Sequence, residues 1–283
     1  MSFKLHCSTW LVALLLIGMI PVRADSSEAL YAPFETLLSQ HVIERTLPGN
    51  GLVTAFDYAG ALADDRTDRL LLTQRQALAN FDPTNLKDRN ESIAFWINAY
   101  NFFMIDKILS DRPNGQLVSS VWDYGGRINP FVDSVFEREI FNVGGRDLSL
   151  DGIEKRILLG DEYKTKGWKD ARVHFAVNCA STGCPPLRNR VYTEHNLEAL
   201  LAENTRRAFN TPRHLALESG ELFVTELLNW YENDFIEAEG SLRAFILKWA
   251  EPERETQIEQ AQGLDFSVYE WQLNRPENFP ELR

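Results

Sequence analysis

The sequence predicts an α+β fold: a single helix-rich domain with short strands and β-hairpins. Three observations predict it. Apolar residues recur at helical spacing through much of the chain. Two turn dipeptides, Gly144-Gly145 and Ser219-Gly220, each sit between short alternating segments, as in hairpins. No Gly-, Ser- or Pro-rich linker divides residues 25–283, so these are read as one globular domain. The 283 residues are 44% hydrophobic, with 17 Phe, 8 Tyr and 7 Trp, enough to fill one large core or two small ones.

Residues 1–24 are set apart as a secretory signal peptide. Lys4 gives a basic start, Leu11 to Ile20 an apolar run, Pro21 a break and Val22-Arg23-Ala24 a small-residue cleavage site. The run is short for the ~20 residues a membrane span needs, and no later stretch is long and apolar enough. The expectation is an exported protein, periplasmic or secreted, with no stable membrane span after cleavage. Removing Lys4 and Arg23 takes the formal net charge from −12 to −14. So acidic a chain is a poor partner for nucleic acid or anionic lipid.

In order, residues 28–43 form an amphipathic helix through Leu30, Phe34, Leu37, Leu38 and Val42, and Pro48 to Gly51 a turn. Val53 to Tyr58 alternates like a strand, and Leu62 to Ala79 is a second helix ended by Phe81-Asp82-Pro83. Asn90 to Leu109 is apolar almost all round, the signature of a central helix. Its Asn98 and Asn101 share a face, either tying down a neighbouring loop or lining a cleft. Phe136 to Leu150 is a hairpin, and Asp151 caps a helix to Leu159 with Glu154 as its capping-box partner. Val173 to Val177 reads as a strand, running into a loop punctuated by Ser181-Thr182-Gly183 and Pro185-Pro186. A helix over 194–209, a hairpin over 214–225, helices at 226–236 and 242–250 capped by Thr225 and Ser241, and an alternating strand over 264–273 complete the chain.

Several motifs together resemble one family. They are Phe56-Asp57-Tyr58, Ala94 to Asn101, Leu148 to Glu154, Val173 to Leu187, Asn229-Trp230-Tyr231 with Asp234-Phe235, and Tyr269 to Asn274. In this order they resemble the domain-of-unknown-function 547 family, in an exported bacterial-type form, over roughly residues 50–275. Glu270 departs from the aspartate expected before the tryptophan. Plant relatives carry an added leucine-zipper-like region that nothing here matches. The resemblance implies that His174, Cys179 and Cys184 are matching positions, but names no reaction and no cofactor.

These residues define the candidate site. On a regular strand His174, Ala176 and Asn178 would share one face and Cys179 the other. Cys184, beyond the turn, could fold back towards His174. One reading is structural: a Cys179–Cys184 disulfide staples the loop of an envelope binding or scaffold domain, whose ligand or protein partner is unknown. A second is a thiol-dependent hydrolase or acyltransferase, with Cys184 the nucleophile, His174 its base and Asn178 the orienter. A third is a metal site of His174, Cys179 and Cys184, which lacks the fourth ligand of a structural zinc. Further cleft candidates are Asp57, Asn98, Asn101 and Asp234.

Overall fold

A 22-residue helix, Arg89–Ser110, runs through the middle of the molecule. Asp88 caps it, its Oδ1 accepting from the N–H groups of Asn90 (2.8 Å) and Glu91 (3.2 Å). Every residue from Ser92 to Leu109 except Lys107 is buried. A helix apolar on all sides must be covered on all sides, and the rest of the chain does the covering. The computed structural model describes residues 27–126 and 132–283; the expected signal peptide lies outside the described residues. Among them, no helix is long and apolar enough to cross a membrane.

The N-terminal helices Ser27–Leu30 and Ala32–His41 give way at Val42 to a strand, Val42–Thr46. It pairs antiparallel with Leu52–Phe56 across the Pro48–Asn50 turn. The helix expected over 62–79 is two helices, Tyr58–Ala63 and Thr67–Asn80. They part because the Asp64 carboxylate takes the Arg66 N–H (2.9 Å) and Nε (3.0 Å), an alternative to the helical ladder. The Gly144-Gly145 hairpin forms as expected, with φ of +60° and +75°, as a primed turn requires. The second hairpin, Leu215–Glu218 with Glu221–Thr225, gains a parallel third strand, Gly263–Ser267, so the expected strand over 264–273 ends early.

Two expectations beside the site are corrected. Residues 152–158 form a π-helix rather than a capped α-helix; Asp151 caps nothing and pairs instead with Lys155 (2.9 Å). The expected strand over 173–177 is a 3₁₀ turn, Ala171–Phe175, followed by irregular backbone. Asp170 starts the turn by accepting from the Arg172 N–H (3.0 Å). Packing also favours it. Ala171 and Phe175 enter one apolar cluster, with Phe209 and Phe245, while Val173, Ala176 and Val177 enter the other, around the central helix. A strand would send 173, 175 and 177 to one side; a turn of about three residues serves two cores at once.

Candidate functional site

The chain leaving that turn is held by side-chain amides. Asn101, on the central helix, accepts the Asn178 N–H (2.8 Å) and donates to the Ala176 carbonyl (2.9 Å). Asn98, one turn earlier, clamps Tyr192 the same way, accepting from its N–H (2.9 Å) and donating to its carbonyl (2.7 Å). Asn178 donates to the Pro185 carbonyl (2.8 Å) and accepts from the Ala180 N–H (2.9 Å). That last bond holds Ala180 at φ +60°, left-handed backbone that an alanine adopts only when its surroundings impose it. The loop then docks on the C-terminal segment. Thr182 and Gly183 donate to the carbonyls of Gln272 (2.8 Å) and Glu270 (2.9 Å), and Ala180 accepts from the Asn274 N–H (3.0 Å).

This loop floors a cleft of about 680 Å³. Cys179 and Cys184 face it, joined by a disulfide with the α-carbons 6.2 Å apart. His174 faces it too, so the turn reverses the expectation that His174 and Cys179 point apart. Trp122, Trp230 and Trp271 wall one side; Trp230 stacks on Trp271 with centroids 5.7 Å apart and is 45% exposed. Tyr269 closes the end, 4.6 Å from Trp271.

His174 is almost fully buried, between Asp234, whose carboxylate accepts from Nε2 (2.8 Å), and Glu154, 3.5 Å from Nδ1. The Tyr231 ring lies over the imidazole, centroids 3.9 Å apart. Burial pushes the histidine pKa down, but the hydrogen bond to Asp234 and the nearness of Glu154 outweigh it, and the net shift is upward. At 3.5 Å, Glu154 acts mainly as a charge, so Nδ1 has no good protein partner. Asp234 is held below the usual carboxylate range: burial opposes this, and His174 and Lys169 (2.7 Å) prevail.

Set against the sequence, the site is partly as expected. His174, Cys179 and Cys184 converge. The orienter of His174 is Asp234, 60 residues on, because the Asn178 amide is occupied within its own loop. Asn98 and Asn101 tie down backbone and do not line the cleft, and Asp57 caps a helix through the Gly60 N–H (2.8 Å). With both sulfurs bonded there are no thiolates to ligate a metal, and among the described residues no three His, Cys, Asp or Glu side chains are grouped to hold one. Glu154, Tyr231 and the indole wall were not singled out as site residues, although Trp230, Tyr231 and Trp271 stood in the quoted motifs.

A family model described as "Protein of unknown function, DUF547" matches residues 83–208. Residues 83–208 belong to the DUF547 family. The match is shorter than the span of 50–275 suggested by the motifs, but it includes the central helix, Glu154, His174 and both cysteines. The cleft is completed from outside the matched region, by Trp230, Tyr231, Tyr269 and Trp271; Asp234, a further cleft candidate, does not line it and acts on it through His174. No curated protein and no solved structure matches the chain.

Proposed function

We propose that this DUF547 protein is exported and serves the cell envelope as a disulfide-stapled binding domain, taking its ligand into the aromatic cleft. The observation that carries this is the wall of three indoles, Trp230 exposed and Trp122 and Trp271 part-buried, facing a floor fixed by the disulfide and by hydrogen bonds to the core. A large, preformed, mostly apolar cleft with a few convergent polar groups is the usual form of a small-ligand site. The disulfide and the basic-then-apolar N-terminus both support an oxidising compartment. The ligand should present a flat apolar face to the indoles and hydrogen-bonding groups to Asp151 and Lys155, which also line the cleft.

The test is a tryptophan-fluorescence titration of residues 25–283 with soluble envelope oligosaccharides and peptides. A saturable change that weakens about tenfold or more in Trp230→Ala supports the reading; no saturable change up to millimolar ligand opposes it. N-terminal sequencing of protein from a fractionated cell tests export.

A second reading, a thiol-dependent hydrolase or acyltransferase, is favoured by one observation: Cys184 shares the cleft with a buried histidine oriented by Asp234. Hydrolysis of p-nitrophenyl acetate under dithiothreitol, lost in both Cys184→Ser and His174→Ala, would support it; no turnover in the reduced protein would dismiss it.

A further inference from the structure

We infer that the Cys179–Cys184 bridge is a redox-active disulfide that exchanges with a dithiol entering the cleft, Cys179 being the sulfur attacked and Cys184 the leaving thiolate. The inference rests on the reading of the cleft as an open ligand site and adds an activity to it.

Two observations carry it. The first is that hydrogen bonds hold the loop alongside the bridge. Residues 178–183 are fixed by Asn101, by Asn178 and by backbone hydrogen bonds to Glu270, Gln272 and Asn274. A cross-link between residues five apart contributes less through unfolded-state entropy than a longer loop would, so its structural return is modest. It also stands on a cleft wall, where a structural bridge gains nothing by being reachable.

The second is the asymmetry of the sulfurs. Cys184 is buried, whereas Cys179 is partly exposed. Two donors are directed at the Cys184 sulfur, the Cys179 N–H (3.0 Å) and the Tyr269 hydroxyl (3.4 Å); the Ser181 oxygen lies 3.3 Å from it and gives its one proton to Tyr269 (3.2 Å). The two hydroxyls also approach the Cys179 sulfur, at 3.3 and 3.2 Å. The backbone N–H is directed at Cys184. Burial raises the Tyr269 phenol pKa, and Ser181 opposes this only in part, so Tyr269 keeps its proton to donate. Donors stabilise a thiolate, and a stabilised thiolate leaves faster.

In the exchange, a thiolate of the incoming dithiol attacks the Cys179 sulfur. A bond forms between them, the Cys179–Cys184 bond breaks, and its electron pair stays on Cys184 as a thiolate. The second thiol, deprotonated by solvent, then attacks the sulfur of the mixed disulfide that belongs to the reductant. Cys179 leaves as a thiolate, the reductant becomes a disulfide, and the protein gains two electrons.

The test uses glutathione, a monothiol that stops at the mixed disulfide, on the oxidised folded protein, followed by acid quenching, iodoacetamide and peptide mapping. Glutathione on Cys179 with alkylated Cys184 is expected. Tyr269→Phe, which keeps the ring, should slow reaction with dithiothreitol by about threefold or more, the order expected from losing one donor to the leaving thiolate. Glutathione on Cys184, an unchanged rate in Tyr269→Phe, or a bridge that reacts only after denaturation would each overturn the inference. The last result would leave the binding reading intact, since a ligand could still shift tryptophan fluorescence over an inert bridge.

Discussion

Replacing Asn101 by leucine should cost this protein a large part of its stability. The side chain is buried, and leucine shares its branched shape but is somewhat larger, so overpacking can only add to the loss. What is lost is the two-point clamp. The Asn178 N–H and the Ala176 carbonyl lose their partners in a water-excluded place. Each orphaned buried group costs about 1–3 kcal/mol, so the variant should lose about 2–6 kcal/mol. For a chain of this size a kilocalorie corresponds to roughly 2–4 °C in Tm, so the midpoint should fall by roughly 4–24 °C. Urea and thermal melts followed by circular dichroism measure both. Asn80→Ala is the control: Asn80 is exposed and, among the described residues, its side chain bonds the Gln76 carbonyl of its own helix, so it should stay within about 0.5 kcal/mol. Asn101→Asp adds a signature of mechanism. It keeps the acceptor for Asn178 but sets an oxygen against the Ala176 carbonyl, unless the carboxyl carries a proton it can donate there. Its deficit relative to the natural protein should therefore be smaller at pH 4 than at pH 8. If Asn101→Leu loses no more than the control, the amide is not what holds the chain leaving the 3₁₀ turn.

Three further outcomes are expected. His214 is buried against the Cys184 backbone, and burial, with Arg213 nearby, lowers its pKa to about 3; because the unfolded state binds a proton near pH 6.5, His214 should cost stability as pH falls from about 6.5 towards 3, and His214→Gln should flatten that limb of a urea-melt series by up to about 1.4 kcal/mol per pH unit. The His174 imidazole should titrate above 6.5 by NMR and fall in both Asp234→Asn and Glu154→Gln; because its folded pKa is raised, its contribution to stability is complete below pH 6.5 and is lost as pH rises through the folded pKa. Gly183→Ala would place a Cβ 2.9 Å from the Glu270 carbonyl oxygen and 2.9 Å from the Tyr269 ring, so urea melts should show a loss of about 1–3 kcal/mol as the C-terminal segment is pushed off the loop.

The fold was legible where one local signal dominated. The central helix announced itself because 22 residues carry scarcely a polar face, and the hairpins because Gly144-Gly145 and Ser219-Gly220 have few other uses. Legibility failed where a side chain competed with the backbone pattern. Asp64 broke a helix that periodicity ran straight through. Glu154 fitted a capping box by spacing, but Ser149 takes the Gly152 N–H instead (2.9 Å), and the π-turn delivers Glu154 to the histidine.

The site itself turned on one misread segment. Val173 to Val177 is apolar and β-branched, and a short apolar run of that kind suits a strand and a buried turn equally. What decides between them is the number of cores the segment must serve, and that depends on Phe209, Phe245 and the central helix, none of them local to it. The same non-locality hid the orienter of His174. Asn178 is four residues away and was the natural choice, yet Asp234 arrives from a helix 60 residues on, while the asparagine holds an alanine in left-handed backbone. A loop that accepts such strain, and spends its amides to keep it, is a loop whose exact path matters. Here that path sets two sulfurs and a buried imidazole on one cleft, so the chemistry of the site follows from backbone that residue propensities alone would not have chosen.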